Sequence, residues 1–524
     1  MSNHRAILLI PLLLIFAACT GTATPSPVDT PSATAPESTD LAATLDVTPE
    51  STPEATPELP PDPELLAWID VPLDRTAARG GSRLTLISRT GSTREVAQFP
   101  PETTRVIPCG ASGRYFALYA GGDTGALYLM NGTTLGAPVL LSYRLGCFDD
   151  RTAQFAPDGT RFGVIDYNPT AFTKEYADGV LRVYDTETRG EVASFEDIIA
   201  YTLTADGAAL VRFYQNARGE AAEAALNWWD GVENREVLTL TPTGSDCRFT
   251  SAAITVRGSL GIVSLGHRCT GEGTDWQVYA VDFETRIATL AASGDSGGAY
   301  VAYARTNNVW LSPDGAHILL TVPDGVSVRT AALLAINLND LSVTQVIDRQ
   351  MLLPHHEDVQ NRLWLSPDGA WLAAFITSPT PGVGGLKLAV VNLDEPGEPL
   401  TVDLGMDTAD GVIFDGSTLY YVQSTSSLTA TGSVNALDLT LGTPRRVVRG
   451  LFSGRLVVTA DQQTGALALT DGISDEQPHR DVVGLNMRTG TLVTFYDGGI
   501  GTPYAGEPLG WLIPNETDIT QSGG

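Results

Sequence analysis

The heptapeptides Trp310-Leu-Ser-Pro-Asp-Gly-Ala316 and Trp364-Leu-Ser-Pro-Asp-Gly-Ala370 are identical, and looser copies of their turn recur along most of the chain. In the first copy, Ser312 suits the first position of a type I turn, proline pre-sets φ at the second, and glycine suits the fourth. Such a turn joins two antiparallel strands. The turn glycines of the eight copies are Gly113, Gly159, Gly207, Gly258, Gly315, Gly369, Gly416 and Gly465.

Short apolar runs follow the turns, as in Ile318–Val322 and Trp371–Ile376, and they have the length and composition of strands. A second hairpin with a polar tip comes next, for example between Val180–Asp185 and Glu191–Phe195. A repeat of about 50 residues therefore holds four strands, which is what a propeller blade needs. We predict an all-β fold, a β-propeller of four-stranded blades; the turns favour eight blades, and seven is the alternative.

Two segments flank the eight turn-centred units. The hairpin of Arg83–Ile87 with Glu95–Gln98 precedes the first turn, and the apolar strand Leu509–Ile513 follows the last unit. Ring closure protects strand edges that would otherwise be exposed. We expect these two segments to pair and close the ring.

The Ser-Pro-Asp-Gly turn with its following apolar strand resembles the PD40-type repeat of TolB-like and other WD40-like propellers of bacterial envelopes. It is also similar to the repeat in the propeller that precedes the hydrolase domain of prolyl oligopeptidase-type peptidases. The resemblance implies a propeller in the cell envelope. Because the shared motif is structural, it implies no binding residues.

The N-terminus predicts export. His4 and Arg5 precede an apolar stretch, Ala6–Phe16, and the small-residue site Ala17-Ala18-Cys19 follows, as in a secretory signal. The stretch is shorter than the roughly 20 residues that span a bilayer. The site resembles a bacterial lipobox, which implies that Cys19 is acylated and becomes the new N-terminus. An ordinary signal peptidase site with an incidental cysteine is the alternative.

Three regions follow from these patterns: a lipoprotein signal peptide over residues 1–18, a tether over 19–63 and a propeller domain over 64–524. The tether is rich in Thr, Pro, Ser and Glu and has almost no large apolar residue, so we expect it to be disordered. It would hold the propeller clear of the outer face of the cytoplasmic membrane, or of an outer membrane.

The chain carries 32 Lys and Arg against 61 Asp and Glu, a formal net charge of −29. Binding to phosphate backbones needs clustered cations, so we exclude nucleic acid. We expect a monomer that meets the membrane through its lipid anchor only. The sequence contains no calcium-binding loop of the EF-hand type and predicts no cofactor.

Four further cysteines are present, an even number that suggests disulfides outside the cytoplasm. Cys247 and Cys269 lie at equal distances on either side of Gly258, so a hairpin centred on that turn brings them together. Cys109 and Cys147 are paired by elimination. A metal site is the weaker alternative, because no C-x-x-C spacing occurs.

The segment Gly294-Asp-Ser-Gly-Gly298 has the letters found around the nucleophile of chymotrypsin-like proteases, and it also satisfies the G-x-S-x-G motif of a nucleophile elbow. A nucleophile elbow needs a strand-to-helix turn in an α/β sheet, whereas this segment joins two predicted units. We therefore expect Ser296 to lie in a connecting loop and assign no catalytic residue.

Ligands of propellers usually meet variable loops. The candidate ligand loop with most metal-capable side chains contains His355, His356, Glu357 and Asp358. Two further candidate loops are Tyr167–Phe172 and Asp475–His479. A solvated polar loop is the alternative for the first, and the sequence leaves a metal there undecided.

We expect a binding or scaffolding module with a protein or glycan partner in the cell envelope. One alternative is a propeller enzyme, a hydrolase or lyase acting on carbohydrate or peptide. Carboxylates or histidines at matching positions of several units would favour it, and the sequence shows no such recurrence. A sensor or stress lipoprotein of the envelope is the other alternative.

Overall fold

The structure is a computed structural model. Contacts divide the chain into Met1–Glu58 and Leu59–Gly524, and every residue described below lies in the second part. The structure describes residues 65–512 except 73–81, 100–104, 113–114, 122–125, 132–138, 144–152, 168–178, 243–245, 270–274, 296–308, 324–329, 352–362, 378–385, 396, 406–407, 425–431, 451, 460–463, 471–479 and 498–503. No helix within this described part is long and apolar enough to cross a membrane.

Thirty-five strands, β1 to β35 in chain order, make up the regular structure of the described residues. The closing sheet contains β1 (Leu65–Pro72), β2 (Arg83–Ile87), β3 (Thr93–Gln98) and β35 (Tyr504–Leu512). Unit 1 contains β4 (Arg105–Ser112), β5 (Tyr115–Gly121), β6 (Ala126–Asn131) and β7 (Val139–Tyr143). Unit 2 contains β8 (Ala153–Phe155), β9 (Arg161–Tyr167), β10 (Gly179–Asp185) and the first part of β11 (Glu191–Leu203). Unit 3 contains the second part of β11, β12 (Ala208–Gln215), β13 (Ala221–Trp229) and β14 (Asn234–Leu240).

The remaining units follow the same four-strand plan. Unit 4 contains β15 (Cys247–Arg257), β16 (Leu260–Cys269), β17 (Trp276–Asp282) and β18 (Ile287–Gly294). Unit 5 contains β19 (Val309–Leu311), β20 (His317–Pro323), β21 (Thr330–Asn337) and β22 (Val343–Met351). Unit 6 contains β23 (Leu363–Leu365), β24 (Trp371–Thr377), β25 (Leu386–Asn392) and β26 (Leu400–Gly405). Unit 7 contains β27 (Thr408–Asp415), β28 (Thr418–Ser424), β29 (Gly432–Asp438) and β30 (Thr443–Gly450). Unit 8 contains β31 (Phe452–Val458), β32 (Thr464–Thr470), β33 (Arg480–Asn486) and β34 (Leu492–Asp497).

Each unit is an antiparallel meander, and successive units contact each other in chain order. β4 contacts β8, β11 contacts β15, β15 contacts β19, β23 contacts β27, and β27 contacts β31. Units 2 and 3 share the long strand β11, and units 5 and 6 are joined where β22 pairs with β24. The closing sheet contacts unit 8 through β35 and unit 1 through β1. The chain is therefore a β-propeller, and the prediction of an all-β propeller of four-stranded blades is confirmed.

The strand pairing that closes the ring differs from the expected pairing. All eight turn-centred units are present, and the flanking segments add a four-stranded sheet of their own, which the count of turns does not include. Its order is β3-β2-β1-β35, so the hairpin and the last strand do not pair directly. β1 lies between them and pairs with both, with Trp68 opposite Thr85 on one side and Pro508 on the other. No repeated turn precedes β1, which is why the turn pattern did not indicate it.

The core lies between neighbouring sheets, so most strands are covered on both faces. In β20, Ile318 packs towards unit 4 and Leu319 towards unit 6, and both are fully buried. Strands that are buried on both faces have continuous apolar runs rather than an alternating pattern. This burial explains why the runs after the turns are apolar throughout.

Candidate functional site

The loop residues that the sequence favoured lie outside the described residues. They are His355, His356, Glu357 and Asp358, the stretch after Tyr167 up to Phe172, and Asp475–His479. Cys19, Cys147 and Ser296 also lie outside them. The flanking strands show that the first of these loops connects β22 of unit 5 with β23 of unit 6. The roles assigned to these residues remain predictions.

The repeated turns lie at one end of the strands in their units. Because neighbouring strands run antiparallel, the first and third connections of each unit lie at the same end of its strands, which we call the turn edge. In unit 5, Gly315 donates its backbone N–H to the Ser312 carbonyl oxygen at 2.8 Å and has a φ of +76°. The predicted turn thus ends with a left-handed glycine, as in hairpins with a bulge. The Ser312 hydroxyl donates to Asp314 and accepts the His317 N–H.

A second recurring turn, which the sequence patterns above do not predict, also lies at the turn edge. An Asp or Asn at the end of the third strand accepts backbone N–H groups two or three residues later, as Asp282 does from Glu284 and Thr285. The residue four positions after it has a positive φ, which is +60° at Arg286. The same arrangement starts at Asp185, Asn337, Asp438 and Asn486. An Asp or Asn at the end of a predicted third strand, just before the polar tip of the hairpin, would have been the sequence signal for this turn.

Turns of neighbouring units contact each other. Arg161 of unit 2 donates to the Ala205 carbonyl oxygen of unit 3 at 3.4 Å. Arg257 of unit 4 donates to the Ser312 carbonyl oxygen of unit 5 at 3.1 Å. The turn edges of these units therefore lie side by side and form one face, which we call the turn face.

A cavity of about 810 Å³ opens on the turn face between units 3 and 4. Its apolar lining consists mainly of Trp228, Val237, Val256 and Phe283, which belong to or pack against the core between these two units. The rings of Trp228 and Phe283 are tilted against each other, with centroids 5.1 Å apart. We call these four residues the cavity floor.

Charged side chains line the same cavity. There are five of them: Arg235, Arg257, Arg286, Asp206 and Glu284. Arg235 contacts Asp230 at 3.1 Å, and this ion pair is exposed to solvent. The N–H groups of Glu233 and Val232 lower the pKa of the Asp230 carboxyl, and the Arg235 charge lowers it further. The cavity thus offers guanidinium donors and carboxylate acceptors around an apolar floor.

The three arginines come from three separate hairpins. Arg235 is the second residue of β14, Arg257 ends β15 next to the turn glycine, and Arg286 lies in the turn before β18. Only the packing of unit 3 against unit 4 brings them to one cavity. No local sequence pattern therefore indicates this site.

Cys247 and Cys269 lie away from the turn face. Cys247 and Cys269 are directly opposite each other in the pairing of β15 with β16, with Cα atoms 4.1 Å apart, and a disulfide joins them. They hold the open end of the hairpin whose closed end carries Gly258 beside the cavity. Cys109 in β4 is also disulfide-bonded.

The described part of the chain contains no group of three or more His, Cys, Asp or Glu side chains placed to hold a metal ion. Its buried histidine, His267, packs edge-on against Phe249 with ring centroids 6.3 Å apart. This histidine belongs to the boundary between units 3 and 4.

No family model matches the chain, and no curated protein matches it. Among solved structures, a eukaryotic initiation factor is similar at 12% identity and a TM-score of 0.49, over 86% of this chain and 99% of that one. The Dos1 propeller matches at 11% identity and a TM-score of 0.40, over 69% and 92%. TolB from Acinetobacter baumannii matches at 13% identity and a TM-score of 0.24, over 68% and 83%. Likenesses at these scores carry no argument here, so the fold rests on the strand order above.

Proposed function

We propose that this chain is a lipid-anchored, extracytoplasmic β-propeller of the TolB-like or WD40-like envelope kind, which acts as a binding or scaffolding module. The cavity between units 3 and 4 carries the binding part of this proposal. It combines an apolar, aromatic floor with a few polar groups that converge from separate hairpins. This combination is typical of ligand sites in proteins.

The anchoring part rests on the sequence. Ala17-Ala18-Cys19 after an apolar stretch favours acylation of Cys19, and residues 19–63 supply the length of a tether. A lipid on this cysteine would place the propeller in the cell envelope, where its partner would be a protein or a glycan.

Membrane fractionation tests the anchor. We expect a Cys19→Ser variant to leave the membrane fraction and to lose the acyl mass of the mature protein, because the thiol that carries the lipid is gone. A Thr20→Ser variant is the matched control and should stay membrane-bound. Membrane retention of Cys19→Ser would contradict the anchor.

Site-specific photo-cross-linking in cells tests the cavity as a binding site. A benzophenone amino acid replaces Glu284 at the cavity in one variant and Arg218 in the turn between β12 and β13, at the opposite edge, in the other. We expect a discrete adduct from position 284 that position 218 does not form. Equal adducts from both positions, or none from 284, would contradict binding at the cavity.

A further inference from the structure

The cavity between units 3 and 4 is rich in cations although the chain is strongly acidic. The whole sequence has 32 Lys and Arg against 61 Asp and Glu. Of the five charged residues that line the cavity, three are cations, Arg235, Arg257 and Arg286, and two are anions, Asp206 and Glu284, while Asp230 beside it pairs with Arg235. A site of this composition favours ligands that carry carboxylates or other anions.

The guanidinium groups keep donors for a ligand. Arg235 uses one nitrogen on Asp230, and Arg257 uses one on the Ser312 carbonyl oxygen, each at 3.1 Å. A guanidinium has five N–H groups, so each of these arginines retains further donors. Arg286 is exposed, and its backbone lies in the left-handed region at a φ of +60°.

Exposed aliphatic residues lie close to the same cavity in the chain. Val232, three residues before Arg235, is 93% exposed, and Ile287, which follows Arg286, is 60% exposed. Exposed apolar residues that accompany arginines and a partly buried aromatic floor are typical of protein interfaces. These two exposed apolar residues, close in the chain to residues that line the cavity, thus favour a peptide over a small anion or an acidic sugar.

We propose that the cavity binds an acidic peptide segment of a partner protein. One large apolar side chain of the segment would rest on the floor formed by Trp228, Val237, Val256 and Phe283. Its carboxylates would accept hydrogen bonds from Arg257 and Arg286, and its flanks would cover Val232 and Ile287. This inference rests on the proposed function, because it names the ligand of that same cavity.

Fluorescence anisotropy of the full chain in mild detergent tests the ligand class. The labelled, capped probe is Asp-Glu-Phe-Glu-Asp, and the matched probes are Asn-Gln-Phe-Gln-Asn and Asp-Glu-Ala-Glu-Asp. We expect the first probe to bind at least about tenfold more tightly than either of the others. Its binding should also weaken as salt is added, because salt screens exposed charges.

Variants test the residues. Arg286→Gln and Arg257→Gln should each weaken binding of the first probe about tenfold. Arg218→Gln, an exposed arginine at the opposite edge, should leave the affinity unchanged. Trp228→Ala should weaken binding as well, and its thermal unfolding midpoint must be compared with that of Arg286→Gln, whose side chain is exposed.

Three outcomes would overturn the acidic-peptide inference: equal binding of the charged and neutral probes, unchanged affinity in Arg286→Gln and Arg257→Gln, or tighter binding of trigalacturonic acid than of the peptide. None of these removes a discrete adduct at position 284. A cross-link from that position to a ligand other than an acidic peptide would keep the proposed function and reject only this inference.

Discussion

The turn of unit 6 lies against the turn of unit 5 where Gly369 approaches Asp314. A Cβ atom at Gly369 would lie 3.1 Å from the Asp314 Cγ and equally close to its backbone nitrogen. The two residues belong to the two identical heptapeptides, so the repeated turn serves both as a hairpin connection and as a contact between neighbouring units.

Substitution of this glycine should cost more than substitution of a glycine in open space. Gly369→Ala meets both a φ of +79° and the Asp314 contact, whereas Gly416→Ala meets a φ of +54° with nothing within 4 Å. A left-handed backbone costs an L-residue about 1 to 2 kcal/mol. We expect about 1 kcal/mol of destabilisation for Gly416→Ala and a clearly larger loss for Gly369→Ala. Urea unfolding measures both, and equal losses would contradict the contact.

The Asp368 carboxylate in the turn of unit 6 should make the free energy of unfolding depend on pH in the acidic range. The Ser366 hydroxyl and the Ala370 N–H lower the pKa of the Asp368 carboxyl. A lowered folded pKa gives stability that is present above the unfolded value of about 3.9 and is lost as the pH falls through the folded pKa. Asp368→Asn should therefore lose stability at pH 7 but not below the folded pKa. Because the carboxylate is exposed, we expect less than about 1 kcal/mol. Chemical unfolding of both proteins across acidic pH checks this, and a pH-independent difference would contradict it.

The left-handed backbone of Arg286 at the cavity should lower the free energy of unfolding. Arg286 has a φ of +60°, which glycine adopts without steric cost. Arg286→Gly should raise the free energy of unfolding by about 0.5 to 1 kcal/mol, since the relief of strain exceeds the added entropy of the unfolded chain. Arg94→Gly, an exposed strand position in β3, is the control and should lower it. A loss of stability in Arg286→Gly would show that this backbone is not strained.

The disulfide of unit 4 should stabilise the hairpin next to the cavity. Cys247 and Cys269 enclose a segment with a sequence separation of 22. Closing such a loop contributes about 3 kcal/mol in the chain-entropy model. We expect Cys247→Ser with Cys269→Ser to lower the unfolding midpoint, and peptide mapping without reductant to recover the two cysteines in one linked fragment. Free thiols at both positions would contradict the pairing.

Much of the blade architecture could be predicted because it is encoded locally. The turn at Ser312–Gly315 specifies a hairpin by the φ preferences of four residues, and the apolar run after it specifies a buried strand. The positions of Cys247 and Cys269 about Gly258 follow from the same local geometry, since antiparallel pairing keeps equal distances from a turn. These signals act within one hairpin, so the sequence alone carries them.

The contacts between units depend on packing that no local pattern records. The pairing of β1 with β35 joins the first and the last strand, and β11 serves two units at once because its first part pairs with β10 and its second part pairs with β12. Arg235, Arg257 and Arg286 surround one cavity only because unit 3 packs against unit 4 through the core that contains Phe283. The sequence determined the repeating unit and its turns. The tertiary structure alone decided how the ring closes and where its charged cavity lies, because both arise from surfaces that meet only after the units have folded.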